Sequence, residues 1–403
     1  MSVQLSTIEG MLKEVYTGKE IQNIQNMTAD TFPKLKKSDK KPTGTGFVFS
    51  ANVKGNQRGQ GSQNELEALR TPGNQTPLKS TVDPKIFTHI IQLSGLSMEV
   101  AKTNEDAFAD NVTFQTESGL EDATKELNAQ CYRDGSGKLA QVNGAVSGSA
   151  TVTFDNGVPT HFRVGTFVDI INAGSVKQVD SIEIVGVDIG AKTITLASTQ
   201  TCDDNSWIYR EDVADSAPTE GKELAGFPLL TDDGTKLTVF QGISRSTYNQ
   251  WDGISINALG ANVSDDLLQR AAARVKVESG RQVKRLCMNP AGQFRKYLSV
   301  LTPAKEFSDG KKMDSGFEAV PTWNGLPIHL DTDCSFTEVY MYDPAFVERS
   351  DVYDLKLDDS TGNVVKWHSG YDAFVIYAKH YGNVLTMHPK SLVRVYNLAE
   401  PIY

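Results

Sequence analysis

Residues 111–133, NVTFQTESGLEDATKELNAQCYR, decide the fold. Val112, Thr116, Gly119 or Leu120, Ala123, Leu127 and Cys131 recur every three or four positions, with Phe108 one step before them. That spacing puts them on one stripe of an α-helix. Glu117, Glu121, Asp122, Lys125 and Glu126 fall on the other faces. Glu121 stands four residues before Lys125, the better order for a helical ion pair. Gly135 and Gly137 follow and stop the helix. At about 1.5 Å per residue the rod exceeds roughly 30 Å, and Gly119 costs it about 1 kcal/mol relative to alanine. So narrow an apolar seam predicts a rod lying on a sheet with much of its surface exposed.

The extended stretch before the helix, residues 46–93, reads as an arm-like hairpin. Residues 47–53, FVFSANV, have strand composition. Residues 56–74 are polar and rich in Gly, Gln and Asn, and residues 76–87 return. Pro77 and Pro84 do not suit a central strand. Limbs of ~14 residues reach ~45 Å, whereas a compact body of this size has a radius of gyration of ~21 Å. A lone two-stranded hairpin is marginal in water, so an arm of this length is expected to lie on another subunit.

Outward from this pair, the 403 residues predict two or three domains. An apolar content of 39% with 22% charged residues fits a soluble globular chain with a core. No window approaches 18 uninterrupted apolar residues, which excludes a helical membrane span. The N-terminus has no secretory pattern, and residues 1–30 open on an amphipathic helix with Ile8, Met11, Leu12 and Val15 on one side. Cys131, Cys202, Cys287 and Cys334 are far apart and form no CxxC pair, which argues against a zinc site or a disulfide framework. A net charge of -10 argues against nucleic-acid binding by the whole surface. The basic run Lys34, Lys36, Lys37, Lys40 and Lys41 fits phosphate contact, a solvated linker or a patch meeting acidic neighbours.

Residues 146–211 change character to six short strands separated by turn signals such as Asp155-Asn156-Gly157. That pattern predicts a small closed β-barrel, inserted in a mixed α+β body. It lacks the aromatic–basic interleaving that base stacking needs. Further on, Ser264 caps a helix over residues 265–279 that ends at Gly280, and Asn289-Pro290 opens another. Strands are expected at residues 283–288, 326–330, 339–342, 373–381, 384–387 and 392–396.

The chemistry-bearing residues form no catalytic constellation. No two of the six histidines have helical metal-ligand spacing, and HExxH, GxSxG and phosphate-binding glycine motifs are missing from the sequence. Asp203-Asp204-Asn205 and the acidic residues of 351–359 read as solvated loops, with a cation the sharper alternative. Asp331 and Asp333 follow a turn and strand, which explains them better than a catalytic carboxylate pair. No catalytic, cofactor-binding or metal residue is assigned, and no cofactor is expected.

Taken in order, these pieces resemble the tailed-bacteriophage major capsid proteins of the Hong Kong 97-type fold. The resemblance rests on the arm from residues 44–53, its return through PKIFTHIIQLS (84–94) and the long helix from about Asn104 to Gly135. GLPIHLD (325–331) and MHPKSLVRV (387–395) are similar to late strands of that family. The resemblance implies an N-terminal arm (1–43), an extended loop (44–95), and a peripheral domain with the spine helix (96–145). It also implies an inserted barrel (146–223), a mainly axial domain (224–372) and return strands to the peripheral domain (373–403). The implied function is a non-enzymatic shell protein that self-assembles into hexamers and pentamers of an icosahedral head around double-stranded DNA. Assembly would occur in the host cytoplasm, with no membrane and no sequence-specific DNA site. A portal, decoration proteins and a separate scaffolding protein are the implied partners, because only about 40 residues precede the arm. Some members of the family join subunits by a lysine–asparagine bond; Lys54 and Lys79 lie in the arm, but no asparagine partner is matched. The candidate contacts between subunits are Arg58, Glu65, Glu67 and Arg70 at the arm tip, and Lys36 and Lys37. An encapsulin-like bacterial compartment is the rival on the same fold. A β-rich carbohydrate-active or carbohydrate-binding protein is the rival from another class.

Overall fold

The computed structural model describes residues 28–44, 46–58, 61–96, 105–211, 221–301, 322–360 and 362–400. The amphipathic helix expected around Ile8–Val15 lies outside them. The organising helix, α1, spans Glu105–Gln130. Its end tightens before the glycines: Tyr132 N–H bonds to Ala129 O at 3.0 Å and Arg133 N–H to Gln130 O at 3.1 Å, so residues 131–133 form turns. Gly135 and Gly137 then take φ of +72° and +82°.

A mixed α+β body surrounds α1. One face of the helix meets a five-stranded sheet. Lys85–Ser94 pairs with Ala373–Thr386 through ten registered positions, from Lys85↔Gly382 to Ser94↔Ala373. Val347–Leu357 pairs on the other side of Ala373–Thr386, and the two-residue strand Lys36–Lys37 completes that edge. Gly119 of α1 lies over this sheet. A Cβ there would stand 2.3 Å from Ile91 Cδ1, so the helix-weakening glycine is the condition for close approach.

A second, six-stranded sheet runs in the order Ile254–Asn257, Leu392–Tyr396, Val339–Tyr342, Arg285–Met288, Leu326–Leu330, Thr322–Trp323. Helix α2, Asp265–Ser279, packs on it through Leu268, Ala271 and Val275. Ser264 caps α2 by accepting from Leu267 N–H at 3.2 Å, and Gly280 closes it at φ +70°. A closed barrel carries the strands Trp207–Arg210, Lys138–Val142, Val146–Asp155, Thr193–Cys202, Lys177–Asp188 and Phe167–Ile171 in circular order. Its interior holds Phe154, Phe162, Ile170, Ile184, Ile194 and Ile208. Lys138–Val142 belongs to the barrel although it precedes Val146, and residues 162–164 follow a 3-10 turn.

The arm is a hairpin of Phe47–Lys54 and Thr76–Val82. Its limbs are half the length expected, and they pack on their own subunit: Phe47, Ala51, Val53 and Val82 are buried. Phe49 meets Trp251 at 6.3 Å between rings. The described residues between 55 and 75 are the exposed part.

Helix α1 also differs from the thin-seamed rod. Besides Ala123 and Leu127, its second half buries Lys125, Glu126, Asn128 and Gln130, and Arg133 just beyond it. Polar residues on every face resemble a solvated helix in sequence; here they are covered by the barrel, the N-terminal segment and the second sheet.

Candidate assembly surface and the buried joint behind it

Among the predicted contact residues, Arg58 and Glu65 are exposed and have no ion-pair partner among the described residues. Glu67 and Arg70 are also exposed, but they shape the tip itself. Glu67 Oε2 accepts Asn64 N–H at 2.9 Å, and Arg70 donates to Ser62 O at 3.0 Å. Lys36 and Lys37 are exposed but have acidic partners on their own chain: Lys36 pairs with Glu348 at 2.7 Å and Lys37 with Asp354. Lys34 pairs with Asp30 at 3.0 Å and Lys40 lies 3.8 Å from Glu348, so much of the basic run meets acidic neighbours of its own chain.

Sequence reasoning passed over the apolar content of the tip. Leu66 is 100% exposed and Leu69 89% exposed. Leu66 also holds φ +67°, a left-handed backbone that a leucine takes only under constraint. The constraint is the turn in which Glu67 N–H bonds to Asn64 O at 3.2 Å. Two leucines in an otherwise polar loop were the available signal.

Behind the tip, a buried polar joint fixes how the parts of the subunit meet. Asn128 of α1 accepts N–H bonds from Thr31 at 2.8 Å and Phe32 at 2.9 Å. Its amide donates to Asp331 at 3.1 Å and Asp333 at 2.6 Å. Thr31 Oγ1 donates to Asp331 at 2.6 Å and shares a 2.7 Å bond with the Tyr132 hydroxyl. Lys125, itself buried, pairs with Asp333 at 2.9 Å and donates to Thr28 O at 2.8 Å. The barrel joins through Thr160, which donates to Thr332 O at 2.8 Å, and His161, 3.0 Å from Asp333 O. Burial pushes Asp333 up to about 6 against the pull of Lys125, and it holds His161 neutral, down at about 3. The turn after GLPIHL thus binds the N-terminal segment, the long helix, the barrel and the second sheet together.

A second ionic cluster clamps the barrel to α1. Glu126 takes Arg163 at 2.9 Å, Arg210 at 2.5 Å, and Arg133 on its other oxygen. Burial opposes its charge, but Arg133, Arg210 and Arg163 outweigh burial and hold the carboxyl well below its ordinary range. Arg133 also pairs with Glu223 at 2.7 Å.

Of the acidic residues of 351–359, Asp351 and Asp354 lie on the strand Val347–Leu357 and Asp358 and Asp359 follow it; cationic partners include Arg349 for Asp351 at 2.9 Å, and Lys366 and Lys379 for Asp358 at 2.6 Å each. Among the described residues, no group of three or more His, Cys, Asp or Glu side chains could hold a metal ion, and no helix is long and apolar enough to cross a membrane. The four cysteines are free and buried.

No protein-family model matches the sequence, and no curated protein matches it. Solved structures do match. The chain is similar to a subunit of the cyanophage A-1(L) capsid asymmetric unit, with TM-score 0.57 and 11% identity over 96% of this chain and 99% of that one. It is similar to the capsid of the empty GTA particle, with TM-score 0.50 and 10% identity over 99% of both chains. A third match is the SrpI encapsulin complex from Synechococcus elongatus PCC 7942, with TM-score 0.45 and 8% identity over 97% of this chain and 95% of that one. The fold is therefore that of phage capsid subunits.

Proposed function

We propose that the chain is the major capsid protein of a tailed phage, of the Hong Kong 97-type, and that it builds an icosahedral head around double-stranded DNA. The observation that carries this reading is a likeness to a phage capsid subunit spanning 96% of the chain. In this reading α1 is the spine helix, the five-stranded sheet is the peripheral domain, the six-stranded sheet the axial domain, and the barrel an inserted domain. The hairpin is the extended loop, and its tip is the contact with a second copy. Leu66 and Leu69 supply the apolar anchor, while Arg58 and Glu65 set register; exposed ion pairs contribute only ~0–1 kcal/mol each. Symmetry repeats each contact, so modest contacts accumulate around hexamers and pentamers. The protein's role is structural and non-enzymatic, in the virion, after assembly in the host cytoplasm. A separate scaffolding protein, a portal and decoration proteins are its further partners, and the DNA is held by confinement.

The test is sedimentation and electron microscopy of particles recovered from producing cells. Closed shells carrying DNA support the proposal. Closed shells loaded with protein would instead favour an encapsulin-like compartment. A small soluble oligomer would overturn both.

A further inference from the structure

Glu223 lies on the segment that leads from the barrel back to the body. Its side chain is buried, 4% exposed. Oε1 accepts from Arg133 Nη1 at 2.7 Å. Oε2 is buried and has no hydrogen-bond partner among the described residues. Arg133 spends Nη2 on Glu126, which Arg163 and Arg210 also share, while its Nε is buried without a hydrogen-bond partner among the described residues. Asp134, at the end of α1, is paired with Lys236 at 3.2 Å, and Asp122 stands 3.8 Å from Arg163. Lys85, on the strand beside α1, donates to Gly221 O at 3.0 Å. Lys222, Glu211 and His89 line the same cleft. Burial lowers His89's affinity for a proton.

Glu223 also forms part of the wall between two clefts. One, of about 610 Å³, lies between α1, the strand Lys85–Ser94 and the barrel. The other, of about 1070 Å³, lies between the barrel, the end of α1 and the second sheet. The segment that carries Glu223 is bonded to the body by Leu224 N–H to Gln130 Oε1 at 3.3 Å, Ala225 N–H to Asn383 Oδ1 at 2.9 Å, and Phe227 N–H to Cys131 O at 2.7 Å, and the Leu224 side chain is buried.

We propose that Glu223 is a proton-controlled latch on the joint between the barrel and the long helix. Neutral, it stays closed on Arg133 with Oε2 sheltered. Ionised, its unpartnered oxygen needs water, and water is at hand in both clefts; the segment 221–226 opens and the barrel loosens on the helix. Burial lifts the acid to about 7, Glu126 and Asp134 add to the rise, and Arg133 and Arg210 oppose it. The closed state therefore holds a proton that an open, solvated glutamate gives up. Its advantage is whole below the ordinary glutamate range and falls as pH rises toward 7. The latch is a property of the subunit and does not depend on the capsid reading.

Hydrogen exchange on the full chain at pH 6, 7 and 8, corrected for intrinsic base catalysis, tests this. The opening constant of residues 221–226 should rise about tenfold from pH 6 to 8, from one proton released at the latch. Glu223→Gln should abolish that rise while barrel strands keep their protection. Asp333→Asn and His89→Gln, which remove the other nearby groups that titrate, should leave it in place. A tenfold rise that persists in Glu223→Gln, or a wild-type segment with no rise, would overturn the proposal. Should Glu223→Gln fail to fold, carbon NMR of the wild-type glutamate carboxyls decides: one must titrate near 7, and none above 5.5 would refute the latch.

Discussion

Replacing Leu66 and Leu69 by serine separates assembly from folding. Both side chains are almost wholly in solvent, at 100% and 89% exposure, so their loss removes little from the subunit's own core. Surface substitutions of this kind stay within about 0.5 kcal/mol of wild-type stability. If the tip buries both leucines on a second copy, each contributes about 1.5–3 kcal/mol to that contact. Taking the lower figure for each, the pair contributes about 3 kcal/mol, or roughly a hundredfold in association at about 1.4 kcal/mol per decade. The assay is the concentration at which purified subunits begin to form shells, followed by light scattering and checked by sedimentation. The double variant should need about a hundredfold more protein, and Leu69→Ser alone about tenfold more, with unchanged thermal unfolding. Assembly at the wild-type concentration would refute the anchor. So would a large fall in melting temperature, since it would mean that the leucines pack on their own chain.

Further predictions concern the interior. Glu126→Gln leaves Arg133, Arg163 and Arg210 without their shared carboxylate; breaking a buried pair costs about 3–5 kcal/mol, which urea unfolding will measure. Gly119→Ala should not deliver the ~1 kcal/mol that alanine normally gives a helix, because its Cβ meets Ile91 Cδ1; in an Ile91→Ala background the same change should stabilise, a sign reversal read from a double-mutant cycle. Burial raises Asp333 to about 6, so the folded chain holds an extra proton between about pH 4 and 6, and this group's contribution falls as pH rises through that window; Asp333→Asn should flatten that part of the stability–pH curve. Lys36→Ala, at the exposed end of the pair with Glu348, should leave thermal and urea unfolding close to wild type.

The regular elements were legible because their signals are local. The stripe through Ala123, Leu127 and Cys131, the Ser264 cap with Gly280, and turn residues such as Asn156, at φ +47°, read directly from spacing and backbone preference. The strand Val347–Leu357 was hidden by its acids, although Tyr353, Leu355 and Leu357 alternate; Glu348 and Asp354 find Lys36 and Lys37, far away in sequence. The arm was read as longer than it is, because polar loop and strand were counted together and the packing of Phe47 and Val53 on the body depends on Leu385 and Trp251. The candidate contact surface was legible in part: the loop was found, but charge was favoured over Leu66 and Leu69. The buried joint was not legible at all. Lys125, Glu126, Asn128 and Arg133 form the polar pattern of a solvated helix face, and only the partners Thr31, Arg163, Arg210, Asp331 and Asp333 convert it into a core.

Cryo-electron microscopy of recovered particles, at a resolution that shows side chains, tests the central claim most directly. The account predicts an icosahedral shell of this chain in hexamers and pentamers, with Leu66 and Leu69 of every copy buried against a neighbouring subunit. A particle with no such shell would contradict it, as would a shell in which the tip of the arm stands free in solvent.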